Sequence, residues 1–181
     1  MIDAVFALAL DRLNAALKQK YPRDEPHAIM ATLGGTPAES QNNKLIITLV
    51  NVERESAAAV APGFRADAGG FRRGSAQLCV NLVMMVAANY PDNYKEGLVN
   101  LSEALGVFQS IPILTPAGVN LPAGLERLTF EFVDASLQDL NSLWTMRGSL
   151  YLPCFLIKAR MLTIARDDIQ GRAAPITTVE S

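Results

Sequence analysis

The 181-residue chain is poor in the side chains from which enzymes and metal sites are usually built: it has two cysteines, one histidine and one tryptophan. With His27 as the only imidazole, a Ser-His-Asp arrangement would have to be assembled on that residue, and no Gly-x-Ser-x-Gly elbow accompanies it. His27 follows Pro22 beside Asp24 and Glu25, a setting that reads as a solvated loop rather than a base or a metal ligand. Cys79 and Cys154 lie in apolar, alternating segments without Cys-x-x-Cys spacing, so buried, reduced thiols are expected. Asp167-Asp168 lacks the regularly spaced oxygen ligands of a calcium loop. Gly69 to Gly74 has neither P-loop nor dinucleotide spacing. No metal, cofactor or catalytic set is expected.

A surplus of positive charge is also missing. Lys and Arg number 16 against 18 Asp and Glu, a net charge of −2, which argues against a partner bound by phosphate neutralisation, so nucleic acid is not expected. The longest apolar run, Leu82 to Ala88, falls far short of the roughly 20 residues that a membrane helix needs. Met1 to Leu10 carries Asp3 and no basic leader, a poor export signal, so synthesis and assembly in the cytoplasm are expected. Charged residues make up 19% of the chain and hydrophobic residues 50%, lean in charge for a domain with all its surface in water. That balance points to an oligomer.

What is present is a run of well-patterned elements. Ile2, Phe6, Ala9, Leu13 and Leu17 recur at helical spacing, and Pro22 stops the segment. Ala28 to Leu33 reads as a short strand before Gly34-Gly35, and Leu45 to Val52 as a clearer one, apolar on both faces. Leu78 to Val86 alternates as a third strand. Asn93 to Glu96 resembles a capping box, opening a helix over Tyr94 to Gln109 with Leu98, Leu101, Leu105 and Phe108 on one face. A loop rich in Pro and Gly follows. Leu128, Phe130 and Phe132 alternate with polar residues as a strand half-buried in a sheet. Ser136 and Asp139 fit a helix start, with Leu137, Leu140, Leu143 and Trp144 as its apolar face. Trp144 there reads as core, with an interface anchor as the alternative.

Pro153 to Ala165 is the last strand, with Phe155, Ile157, Ala159 and Met161 on one face and Lys158 and Arg160 on the other. The fold class expected is α/β (α+β), with a single mixed or mainly antiparallel sheet flanked by helices. Residues 1–166 form the domain, and residues 167–181 a tail that is flexible or ordered by a partner.

Two regions stand out as candidate interfaces. The excursion from Arg54 to Ser75 joins two strong strands through glycines and arginines, and reads either as a binding arm or as a solvated loop. Arg65, Phe71, Arg72 and Arg73 are its contact candidates, since aromatics in a loop gain little unless they dock and Arg pairs with partner carboxylates. Glu131, Lys158 and Arg160 form the second group, able to pair across the sheet or across a subunit boundary.

Several ordered segments then look familiar together. They are Met1-Ile2-Asp3-Ala4-Val5 with Arg12-Leu13-Asn14, Gln41 to Glu53, Asn81-Leu82, Ala88-Asn89-Tyr90, Phe108-Gln109-Ser110, Leu128 to Glu131, and the Trp-bearing stretch from Asn141 to Ile164. The chain resembles the tail-terminator, or cap, family of contractile phage-tail-like injection systems, in the amino-terminal-type domain of the antifeeding-prophage and virulence-cassette class. The resemblance spans Met1 to Ile164. It implies a structural, non-enzymatic protein that forms a hexameric ring at the tube end opposite the baseplate. The partners it implies are further copies of the chain, the inner tube protein and the sheath protein, in a particle released from the cell. The alternatives are an adaptor or completion protein elsewhere in the tail, or a small-molecule-binding domain or enzyme using the loops around Gly69 and Pro116.

Overall fold

The computed structural model describes residues 1–33, 39–55, 64–67, 70–73, 78–110, 113–116, 121, 125, 127–148, 151–164 and 172–173, with backbone alone at 39, 64–67, 70–73, 78, 147, 161–164 and 172–173. Helix α1 runs Ile2–Lys20, strand β1 Ala28–Met30, β2 Lys44–Arg54, β3 Phe64–Asp67, β4 Gly70–Arg73 and β5 Leu78–Asn89. Helix α2 (Tyr94–Ser110), β6 (Thr129–Val133), α3 (Leu137–Arg147), β7 (Cys154–Ile164) and β8 (Arg172–Ala173) follow.

Five strands form one mixed sheet in the order β1-β2-β5-β7-β6, in which only β1 and β2 are parallel. The expected sheet class is therefore the one found. At the centre lies β5, buried at every position from Cys79 to Asn89. Its even-numbered side chains, Val80, Leu82, Met84 and Val86, join a core closed by Val5, Phe6, Leu13 and Leu17 of α1 and by Leu101, Ala104 and Phe108 of α2. Its odd-numbered Met85 and Ala87 join a second cluster with Ile46, Leu156 and Trp144 of α3. A strand apolar on both faces thus sits between two helical layers, as burial of both faces requires.

The helix starts follow local chemistry. Ser136 and Asp139 form a reciprocal capping box at α3, and Gly148, at φ 61°, ends that helix in the left-handed region that favours glycine. Asn93 accepts from the Glu96 amide at 3.3 Å and donates to its carboxylate at 2.7 Å, so the pair expected at the start of α2 is in place.

Some expected faces are revised. The buried face of α2 is Gly97, Asn100, Leu101, Ala104 and Phe108, while Leu98 and Leu105 turn outward, because the small Gly97 is what lets the helix approach Tyr90. Leu137, the first residue of α3, is exposed instead of joining the helix's apolar face. His27, expected in solvent, is buried. In β7 the register shifts opposite Asn81, so Leu162 rather than Met161 pairs with core-facing Val80. The excursion after Arg54 carries an antiparallel hairpin, β3 and β4, which pairs with β8 in a separate three-stranded sheet. Its strands are too short and too glycine-flanked to stand out by alternation. Of the expected loop after α2, residues 111–112, 117–120 and 122–124 lie outside the described residues, as does most of the tail.

A β-carbon added at Gly97 would stand 3.0 Å from Tyr90 Cβ, whereas one at Gly106 meets nothing within 4 Å. Gly97→Ala is expected to lower stability by about 1–3 kcal/mol through overpacking. Gly106→Ala is expected to raise it by up to about 1 kcal/mol through helix propensity. Urea midpoints of the two variants measured side by side check both signs.

Candidate functional site

Two interruptions of strand alternation assemble a charged row on the α3 face of the five-stranded sheet. In β2 the register shifts between Leu49 and Asn51, leaving Val50 as an extra residue. A bulge of this kind reverses which face later residues occupy. Glu53 therefore falls opposite Asn81, on the same side as Ile46, instead of on the opposite face. The second shift, in β7 opposite Asn81, comes just after Arg160.

The resulting contacts stitch four strands together. Glu131 lies directly opposite Lys158 in register, yet its carboxylate accepts from Arg160 Nη1 at 3.2 Å to both oxygens. Lys158 instead reaches over β5 to Glu53, with Nζ 2.7 Å from the carboxylate. Arg160 Nη2 also donates at 3.0 Å to Glu55, which is 8% exposed and accepts a further bond from Asn81 Nδ2 at 2.9 Å. Hydrogen bonds to Glu55 first, and then to Glu131, push the Arg160 pKa up. The row pairs carboxylates with a guanidinium and an ammonium group, and its chemistry is that of charge-assisted hydrogen bonds between strands.

Of the residues singled out in sequence, Glu131, Lys158 and Arg160 are thus brought together, with Arg160 and not Lys158 as the partner of Glu131. Glu53, Glu55 and Asn81 were missed. Glu53 and Glu55 alternate at the end of an apolar strand, but the bulge that turns them toward the cations has no signature in residue order. Arg65, Phe71, Arg72 and Arg73 lie on the other sheet. Its backbone register sets Arg65 opposite Arg72 and Arg72 opposite Arg172, a row of three arginine positions across β3, β4 and β8.

Beside the charged row the same sheet face is apolar. The Trp144 ring meets Tyr151 edge-on at 5.9 Å. The Trp144 indole N–H makes no hydrogen bond of ordinary length among the described residues, and its approach to the Cys154 sulfur only partly offsets the burial that pushes that thiol's pKa up. Trp144 is core, as its helix spacing suggested.

His27 borders a shallow cleft of about 250 Å³ with Asn14, Lys18 and Arg23. Its Nε2 lies 2.7 Å from Tyr21 O and therefore carries the proton, while Nδ1 is buried without a partner among the described residues. Desolvation lowers its pKa, partly opposed by the Tyr21 hydrogen bond. The imidazole brackets the end of α1 and the start of β1.

The fold has known relatives. The Pvc16 N-terminal domain family matches residues 9–178. The fold is similar to that of the sheath/tube terminator of PVC, an extracellular contractile injection system, in its extended state. The TM-score there is 0.61 at 16% identity, covering 96% of this chain and 61% of that one. It is also similar to the tube-terminating cap of the anti-feeding prophage, with a TM-score of 0.64 at 14% identity, covering 100% of this chain and 60% of the cap. The chain therefore spans about three fifths of either structure's length. Among curated proteins no sequence matches.

Arg160→Ala withdraws a guanidinium from the buried Glu55 and is expected to cost about 1–3 kcal/mol. Lys158→Ala breaks a half-exposed pair and is expected to cost about 0.2–1 kcal/mol; denaturant titration of the two variants reads the order. Because the folded state lowers the His27 pKa, the unfolded chain binds more protons between the folded value and the ordinary 6.5, and stability falls as pH drops through that window. His27→Gln is expected to flatten this part of the profile, measured as the difference in melting temperature between the two proteins from neutral pH downward.

Proposed function

The chain belongs to the Pvc16 N-terminal domain family, and on that premise we propose that it is a structural cap that terminates the tube and sheath of a contractile injection particle. One observation carries this reading: the family match runs through residues 9–178, and the shared fold covers 96% and 100% of the chain in comparison with a terminator and a cap. The role is mechanical, not catalytic. Copies of the chain form a hexameric ring at the end opposite the baseplate, one side of which meets the last tube ring and the other the last sheath layer. Assembly takes place in the cytoplasm, before the particle leaves the cell.

A closed ring needs a heterologous interface, in which two different patches of the same chain meet. Exposed Tyr94, Leu98 and Leu105 on the outer side of α2 offer an apolar patch of the required kind. Residues 1–166 act as the capping unit, and Arg172–Ala173 beyond it complete the small sheet as β8. Like charges directly opposite one another across strands are unfavourable. The row Arg65, Arg72 and Arg172 therefore suits a partner that presents carboxylates, with Phe71 and Arg73 as further contacts on β4.

Particles made without this chain are expected to show overgrown or open tubes by electron microscopy, and purified chain is expected to form six-subunit rings by mass measurement. Particles of normal length and closure would overturn the reading. Arg65→Glu with Arg72→Glu, in a variant of unchanged melting temperature, is expected to abolish recruitment to particles, read by immunoblotting of the purified fraction.

A further inference from the structure

The two edges of the five-stranded sheet are finished differently. At the β1 edge the outward main-chain groups of Ala28 are taken by a side chain: Asn14 Nδ2 donates to Ala28 O at 2.9 Å, and Ala28 N donates to Asn14 Oδ1 at 2.8 Å. The carboxamide of α1 thus imitates a neighbouring strand residue and closes that edge.

At the β6 edge one pair of described residues does the same. Leu114 and Leu128 exchange both main-chain hydrogen bonds, at 2.8 and 3.0 Å, so the polar groups of Leu128 point away from β7. Main-chain direction alternates along a strand. Thr129, Glu131 and Val133 therefore bond to β7, and the N–H and C=O of Phe130 and Phe132 point outward. The opposite side of β7 agrees: Pro153 O accepts from Ala88 N at 2.9 Å, which by the same alternation turns the polar groups of Lys158 toward Glu131. The Leu114 pairing cannot continue in either direction as a ladder of reciprocal hydrogen bonds. The residues two before and two after Leu114 are Pro112 and Pro116, neither of which has an amide proton to donate. Among the described residues the outward groups of Phe130 and Phe132 have no partner. Beside them the Phe132 ring, though packed on Phe155 at 5.7 Å, is left 45% exposed.

We propose that the β6 edge at Phe130–Phe132 is a strand-acceptor site for an extended segment of a different protein, which adds to the sheet by main-chain hydrogen bonds. The register that would use all four outward groups between two copies pairs Phe130 with Phe132 and sets Glu131 opposite Glu131, which like-charge repulsion disfavours. The fitting segment instead carries Lys or Arg opposite Glu131 and apolar residues opposite Phe130 and Phe132, covering the exposed ring. The site belongs to the isolated chain and does not depend on its capping a tube.

Residue-resolved amide exchange on the full chain tests this, alone and with a short capped peptide of alternating valine and lysine as the probe. In the free chain the Phe130 and Phe132 amides are expected to exchange about 100-fold faster than those of Thr129, Glu131 and Val133. With the peptide they are expected to slow by about 10-fold or more, and a peptide N-methylated along its bonding edge is expected to give no such slowing. Phe132→Pro removes an outward N–H without touching a bond to β7, and is expected to abolish protection of Phe130 by the peptide. The proposal is overturned if the two amides are already as protected as their neighbours, or if the peptide leaves them fast. Protection that appears without peptide and rises with chain concentration, together with a dimer mass, would also overturn it by assigning the edge to a second copy.

Discussion

β5 is buried along both of its faces and both of its edges, and most of the architecture follows from what that demands. Its even-numbered side chains need one apolar layer and its odd-numbered ones another, so α1 and α2 close one side while α3, through Trp144, closes part of the other. Its main-chain groups need a partner on either edge, which β2 and β7 supply. A strand of this kind is unstable anywhere but in the middle of a sheet. The short β1 and β6 then become the outer strands.

The α3 face divides sharply between apolar and charged halves because α3 covers only one of them. Beyond its reach, polar side chains must satisfy one another. The bulge at Val50 makes this possible by turning Glu53 and Glu55 toward Lys158 and Arg160, and Arg160 spans two carboxylates on opposite sides of β7. A buried carboxylate such as Glu55 is tolerated only with donors of this quality. The row ties the two bulges to one another, since a slip in either strand would strand a charge against the apolar core.

The same economy appears at the sheet edges. Asn14 spends its whole carboxamide on Ala28 and seals one edge, whereas just before β6 Leu128 is paired, among the described residues, with Leu114 alone. The two edges of one sheet thus present different chemistry, one closed by a side chain and the other carrying outward main-chain groups.

Residue order alone determined the helices and long strands, because each rests on a local period and a local cap: Leu13 and Leu17 on α1, Asn93 and Glu96 at α2, Ser136 and Asp139 at α3, and the alternation through Phe130 and Phe132. It also determined, through the sparsity of histidine and cysteine, how little material there is for a catalytic set. The ordered segments from Met1 to Ile164, taken together, were enough to suggest the family. Strand order, the partner of Arg160, the burial of His27 and the openness of the β6 edge were decided only by tertiary structure. Each depends on residues far apart in the chain, or on a bulge that reverses side-chain parity without any mark in the local pattern. The hairpin β3–β4 was missed for a related reason: its pairing with β8 joins positions about a hundred residues apart, and two four-residue strands carry too few side chains to announce a period.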